Sequence, residues 1–453
     1  MKTLKMLSYL KLVFIVPFRV KRQFSSALYI TGDKAHKTFA VLTPVIDFEK
    51  QLENKDVLER NFKARQLPLD IDKIEERWKF FHDIDIQKKT LELTRIKIGA
   101  LVRELMKDEE ANKHEIEKYK LHSRLVKDDL NNVKQYFHNL EEDTMLILLN
   151  LPNVLHEKTP LELVTLHKFL ENSEEKSLSH MEIAEKCKLI EYIDPFTCYF
   201  KSDAALFEMA VLNYFRHSLL DLDYTQFSNP DFCRSVIVEG CGIKHEEKSK
   251  VFMLERHDQS KDDVNRLHLC GAASLSSFMA YFCRHTIQQS YFPLMYFSVG
   301  RKYQPISEKT PKNLFNLSQE SVINIFTSTL EEEDILDEVS KHVVTLYESL
   351  GYHFRLAYLP ANKLDESESL RLSIQMYSNH LKDYVEVGNI SAYDSYLSKR
   401  LLFNYSVDKE RRYPKIIAGT LVNIPKLLGC VLENNSVKSA SLITSLLQKF
   451  MFV

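Results

Sequence analysis

The side chains able to do chemistry are spread along this 453-residue chain without the spacings that common catalytic motifs require. There is no P-loop, GxGxxG, GxSxG or HExxH pattern, and the only Gly-x-Gly is Gly240-Cys241-Gly242. The 16 histidines form no recognisable ligand cluster, so they read as surface or satisfied core residues and no metal is assigned. Seven cysteines (Cys187, Cys198, Cys233, Cys241, Cys270, Cys283 and Cys430) are odd in number and lack a CxxC pair, the pattern of free thiols in a reducing compartment. Only 10 residues are glycine, roughly 2% against a usual value of about 7%, and glycine is the residue that lets backbone approach phosphates closely. No Asp or Glu occurs from Val264 to Ser307, so a pocket built on that stretch offers no carboxylate to an ammonium group.

Elements that would position any site can be read from periodicity. From Asp72 to about Met106 the chain is strongly charged, free of proline, and repeats Ile84, Leu91, Ile98 and Leu105 every seven residues. A second run places Tyr119, Val126, Val133, Leu140 and Ile147 at the same spacing before Pro152 ends it. Two such helices joined by the polar stretch Lys107 to Lys113 make an antiparallel coiled-coil hairpin over about 72–147, weakened by Lys88 and Arg95 in its seam. Beyond Cys187, short apolar stretches (Phe292 to Val299, Tyr352 to Tyr358) alternate with helical ones (Ala204 to Leu220, Glu332 to Leu350). That alternation predicts an α+β domain on an antiparallel sheet, with His156 to Lys186 as a polar connector carrying one helix. The expected organisation is 1–32, 33–153 with the helical arm, 154–186, and 187–453.

Composition agrees: 44% hydrophobic and 27% charged residues describe a globular chain long enough for two or three domains. Residues 1–32 hold Lys2, Lys5, Lys11, Arg19, Lys21 and Arg22 and no acid, which reads as a mitochondrial presequence, with Arg22-Gln23-Phe24-Ser25-Ser26 as the cleavage region. A secretory signal is the rival, but Lys11 interrupts its apolar core. Removing six cations takes the formal charge from -2 to -8, so any nucleic-acid contact must use a local patch. Nothing later has the ~20 apolar residues of a membrane span.

In chain order, several segments resemble the seryl-tRNA synthetase family of class II aminoacyl-tRNA synthetases. Asp56-Val57-Leu58-Glu59-Arg60 through Leu69-Asp70-Ile71-Asp72 is similar to the start of that family's arm, and Asn150-Leu151-Pro152-Asn153 to the segment that closes it. Tyr199 to Glu208 resembles the "YYLKGDGALLE" stretch, Tyr224 to Asp231 with Pro230 resembles motif 1, and Ile424-Pro425-Lys426-Leu427-Leu428 with Leu432 to Asn435 resembles motif 3. The resemblance implies the class II synthetase-like antiparallel sheet domain with its N-terminal helical arm.

The family's chemical residues are largely missing. Its Thr-x-Glu serine-binding motif after a "LCG"-like strand is replaced by Ala272-Ala273-Ser274 after Leu269-Cys270-Gly271. Motif 2 opens Arg-x-Glu in the family; here Arg301 stays and the glutamate becomes Tyr303. Its second strand runs Asn316 to Asn324 without the basic residues or terminal glutamate. The acidic segment that helps hold magnesium is Leu370-Arg371-Leu372-Ser373, the serine-binding stretch after Glu386 is Asn389-Ile390-Ser391-Ala392, and the motif 3 arginine is Lys426. Lysine keeps the charge without the bidentate fork. Adenylate formation needs phosphate clamping together with metal neutralisation, so these losses imply that aminoacylation is gone.

The departures resemble a non-catalytic insect mitochondrial branch of this family. That resemblance implies a matrix binding or regulatory subunit without cofactor. It implies pairing with the active mitochondrial seryl-tRNA synthetase as a heterodimer, or self-pairing as a homodimer, and support of mitochondrial translation, DNA maintenance and respiration. Because the family's arm grips tRNA, Lys88, Lys89, Arg95, Lys97 and Arg103 are candidate contacts to tRNA or mitochondrial DNA phosphates. Equally, these charges solvate a helix face balanced by Glu92, Glu104 and Asp108. The alternative function is a divergent adenylate-forming enzyme for another small carboxylic acid, using Arg301, Glu386 and Lys426.

Overall fold

A computed structural model describes residues 26–30, 42–108, 110, 112–171, 178–255, 266–330, 335–434, 442 and 444–451. The targeting segment expected over 1–32 lies outside the described residues apart from 26–30. The arm consists of α1 (Ile71–Leu105) and α2 (Lys113–Leu149). Asp70 starts α1 by accepting a bond from the Lys73 amide at 3.3 Å, satisfying one of the orphan donors of the first turn. The helices run antiparallel: Arg77 meets Asp143 at 3.4 Å, Glu92 meets Lys134 at 3.1 Å, and the Phe81 and Phe137 rings stack at 5.6 Å. Ile98 of the expected α1 stripe is buried, while Ile84, Leu91 and Leu105 are half-buried. On α2 the seam differs from the expected one. Val126 is buried, but Leu130 and Phe137, at the other inward position of the repeat, are buried more deeply than Tyr119, Val133 or Leu140. A heptad presents two inward positions, and the larger apolar residues here take the second.

The eight-stranded sheet contains β1 (Val164–Phe169), β2 (Thr225–Gln226), β3 (Leu294–Tyr303), β4 (Gln319–Thr329), β5 (Phe354–Tyr358), β6 (Leu370–Ser378), β7 (Asp383–Asp394) and β8 (Lys415–Asn423), in spatial order β1-β5-β6-β7-β8-β4-β3-β2. Every pairing is antiparallel except β2 with β3. Strands β4, β6 and β8 are buried along most of their length because both faces of the sheet are covered. Alternate residues of β4 and β8 serve different cores: Ile323, Ile325 and Ile417 join one, Phe326, Ile416 and Ala418 the other. The first core is closed by α3 (Ser202–Asp221), α4 (Leu336–Leu350) and α5 (Ile424–Asn434) through Phe207, Phe215, Tyr347 and Leu427. The second is closed by the shorter helices Ser235–Gly240, Leu275–Phe282 and Tyr396–Leu401.

The segment expected as a polar connector does carry one helix, His180–Lys186, but it also supplies β1, at one edge of the sheet. Two residues moor the arm to the sheet domain. Buried Arg65 donates to the carbonyls of Asn153 and Asp365 at 3.1 Å each and to that of Glu368, and the Asn153 amide donates to Ser367 and Tyr393 carbonyls at 3.0 and 2.9 Å. Among the described residues no helix is long and apolar enough to cross a membrane.

Candidate functional site

A cavity of about 670 Å³ opens over the middle of the sheet. Its walls come from β3, β4, β6, β7 and β8, the start of α5, and the loops around Cys241 and Cys270. The approach of these walls is fixed by two glycines. A side chain at Gly271, whose φ is +97°, would lie 2.1 Å from the Arg301 carbonyl, and one at Gly419 would lie 2.0 Å from the Asn389 carbonyl. Asp231, at the end of the motif 1-like segment, holds the Cys270 to Ala272 loop by accepting from the backbone amides of Cys270, Gly271 and Ala272.

Among the described residues five cations line the cavity (Lys244, Lys250, Lys302, Arg371 and Lys426), as do five carboxylates (Glu247, Glu320, Asp365, Glu366 and Glu386), so their formal charges cancel. Most are engaged with one another. Arg371 lies 2.8 Å from Glu368, 2.9 Å from Asp365 and 3.9 Å from Glu386. Burial opposes its charge, but the carboxylates of Glu368 and Glu386 outweigh it and raise the guanidinium above its ordinary pKa. Burial pushes the Glu368 carboxyl up, with Arg371 pulling it back, and the Ser391 hydroxyl donates to it at 2.6 Å. On the other wall Lys426 sits 3.7 Å from Glu320, and Lys302 is the cross-strand neighbour of Glu320. Burial lowers the Lys302 pKa against the attraction of Glu320. Lys244 pairs with Glu366 at 3.5 Å. Three buried polar atoms at this site, Glu320 Oε1, Asn324 Oδ1 and Thr420 Oγ1, have no hydrogen-bond partner among the described residues.

Of the three residues expected to form a reduced nucleotide site, Glu386 and Lys426 line the cavity and Arg301 does not. Arg301 points to the opposite face of β3, half exposed and 3.7 Å from Glu208 of α3. Strand alternation puts Lys302 inward in its place, a residue that motif comparison passed over because register, not residue type, decides the facing. The arm cations separate too. Lys88 lies over the Phe137 ring at 3.8 Å, filling the seam rather than the surface. Lys89 pairs with Asp85 at 2.6 Å and Arg103 donates to the Gly99 carbonyl at 3.2 Å. Arg95 and Lys97 are exposed.

No protein-family model matches the chain. Among known proteins it is similar to the serine–tRNA synthetase-like protein Slimp of Drosophila melanogaster, 28% identical over 94% of this chain and 92% of that one. The mitochondrial serine–tRNA ligase of Mus musculus is 23% identical over 96% of this chain and 87% of the ligase. The seryl-tRNA synthetase of Pyrococcus horikoshii, solved in complex with ATP, superposes with a TM-score of 0.77 at 16% identity, over 90% of this chain and 98% of that chain. The cytoplasmic serine–tRNA ligase of Naegleria fowleri, solved with AMP, gives a TM-score of 0.73 at 15% identity, over 88% and 94% of the two chains. The chain is thus similar through nearly its whole length to serine–tRNA synthetase-like and seryl-tRNA synthetase proteins, and it has the class II synthetase fold with an N-terminal helical arm.

Proposed function

We propose that the chain is a catalytically inactive seryl-tRNA synthetase-like protein that works as a binding or regulatory subunit in the mitochondrial matrix. The observation that carries this reading is the internal pairing of the cavity. A nucleoside triphosphate needs free cations for its phosphates and a carboxylate-held metal; here Arg371 is engaged by Asp365, Glu368 and Glu386, and Lys426 faces Glu320. The volume, about 670 Å³, lies within the ordinary range of ligand pockets, so charge and not space is the obstacle. The residues present do not fit a magnesium–nucleotide complex, because a guanidinium stands where the family supplies an acid.

The partner in this reading is the active mitochondrial seryl-tRNA synthetase, in a heterodimer, with a homodimer as the other arrangement. The role is support of mitochondrial translation, DNA maintenance and respiration. Contact with tRNA or mitochondrial DNA falls to Lys89, Arg95, Lys97 and Arg103, all exposed on the arm, with Lys88 set nearer the seam over Phe137. Calorimetric titration with ATP, Mg²⁺ and serine tests the reading on protein purified alone and co-expressed with the active enzyme. No heat of ATP binding, with copurification of the two chains, is expected; ATP binding at micromolar affinity would overturn it. A divergent adenylate-forming enzyme is the second reading, favoured by the placement of Glu386 and Lys426 in an open cavity of sufficient size, and the same titration decides it.

A further inference from the structure

We propose that residues 26–29 form a permanent strap of the working protein, with Glu239 as its receptor, so that removal of any N-terminal leader stops before Ser26. A short segment near a chain terminus is normally loose unless its backbone groups are tied down. Here they are tied. The Glu239 carboxylate accepts from the Ser26 hydroxyl at 2.6 Å and from the backbone amides of Ala27 and Leu28 at 2.5 and 3.0 Å. The Ser26 hydroxyl oxygen in turn accepts from the amides of Leu28 and Tyr29 at 3.1 and 2.9 Å. Three donors on one largely buried carboxylate make charge-assisted bonds of the stronger kind. Leu28 is 0% exposed and Ala27 1%, both inside the second core beside Leu42, Leu149 and Val236.

The strap joins two parts of the molecule. At one end Glu239 directly precedes Gly240, Cys241 and Gly242, the last two of which line the cavity. At the other the Tyr29 hydroxyl donates to Glu141 of α2 at 2.8 Å, near the base of the arm. Trimming after Ile30 would leave Glu239 without these donors and open the core around Leu28, whereas trimming between Ser25 and Ser26 removes none of these contacts.

Two measurements test this. Mass spectrometry of the N-terminus of the protein recovered from mitochondria is expected to find the first residue at or before Ser26; a first residue at 27 or later overturns the proposal. Full-length protein is then compared with chains starting at Ser26 and at residue 31, and with the Glu239→Gln and Tyr29→Phe variants. Starting at Ser26 should leave the melting temperature unchanged, and starting at 31 or substituting Glu239 should lower it by several degrees. Tyr29→Phe should speed amide exchange at the base of α2 while leaving the cavity loop protected, since it cuts one end of the strap alone. A chain starting at residue 31 with unchanged melting and exchange refutes the strap even if all variants fold. ATP titration does not enter these readouts, so they stand apart from the question of catalysis.

Discussion

Arg371 is the centre of an ion cluster at the cavity, within reach of Glu368, Asp365 and Glu386. Its neighbour Glu368 is 2% exposed, so removing the guanidinium leaves a buried charge uncompensated. Arg371→Met is therefore expected to destabilise the protein by about 3 kcal/mol, read from urea unfolding, and the loss should shrink in Arg371→Met combined with Glu368→Gln. His268 is a second residue with a measurable consequence. His268 is 0% exposed, Nε2 lies 2.9 Å from the Ser235 hydroxyl, and Nδ1 has no hydrogen-bond partner among the described residues. Burial, followed by the nearby His245 and Arg266, pushes its pKa down to about 4. In the unfolded chain the pKa is about 6.5, so between those values the unfolded state binds the extra proton and stability falls as pH falls. A loss of up to about 3 kcal/mol from this group is expected between pH 7 and pH 4, levelling below the lower value; unfolding midpoints measured across that range should flatten in His268→Gln.

At the scale of elements, the arm depends on a few aromatic and cationic contacts rather than on an unbroken apolar seam. Phe137 is 2% exposed, stacks on Phe81 and carries Lys88 on its face. Phe137→Ala is expected to cost about 3 kcal/mol locally and to raise amide exchange along α1 and α2 while leaving the central strands protected. The mooring of the arm belongs to Arg65. Its guanidinium serves the carbonyls of Asn153, Asp365 and Glu368, and the side chains of the last two hold Arg371. The loop 365–368 thus has its backbone bonded to the arm base and its side chains bonded into the cavity. Arg65→Met should loosen both, seen as faster exchange in 365–369 as well as in α2, whereas Phe137→Ala should spare the loop.

For the whole molecule, the two helices of the arm, the antiparallel sheet and the order of family-like segments were legible before any coordinates. Heptad spacing and short apolar runs bounded by polar turns are local signals, and the hairpin and the sheet strands fall where they predict. What the sequence could not express was facing and partnership. Arg301 and Lys302 are adjacent residues of like charge, and only the register of β3 against β4 turns Lys302 inward and Arg301 toward Glu208. Lys88 sits at a seam position of the heptad and is also a candidate phosphate contact, and only the placement of Phe137, 49 positions away, beneath its ammonium favours the seam. The same holds for Arg371: its identity could be read as the loss of an anion, but the carboxylates that surround it come from β7 and from a loop fixed by the arm. Residue types and local periodicity are written in the sequence; which charges neutralise one another depends on separations of a few ångströms between distant segments, and the packing of the tertiary structure alone sets those.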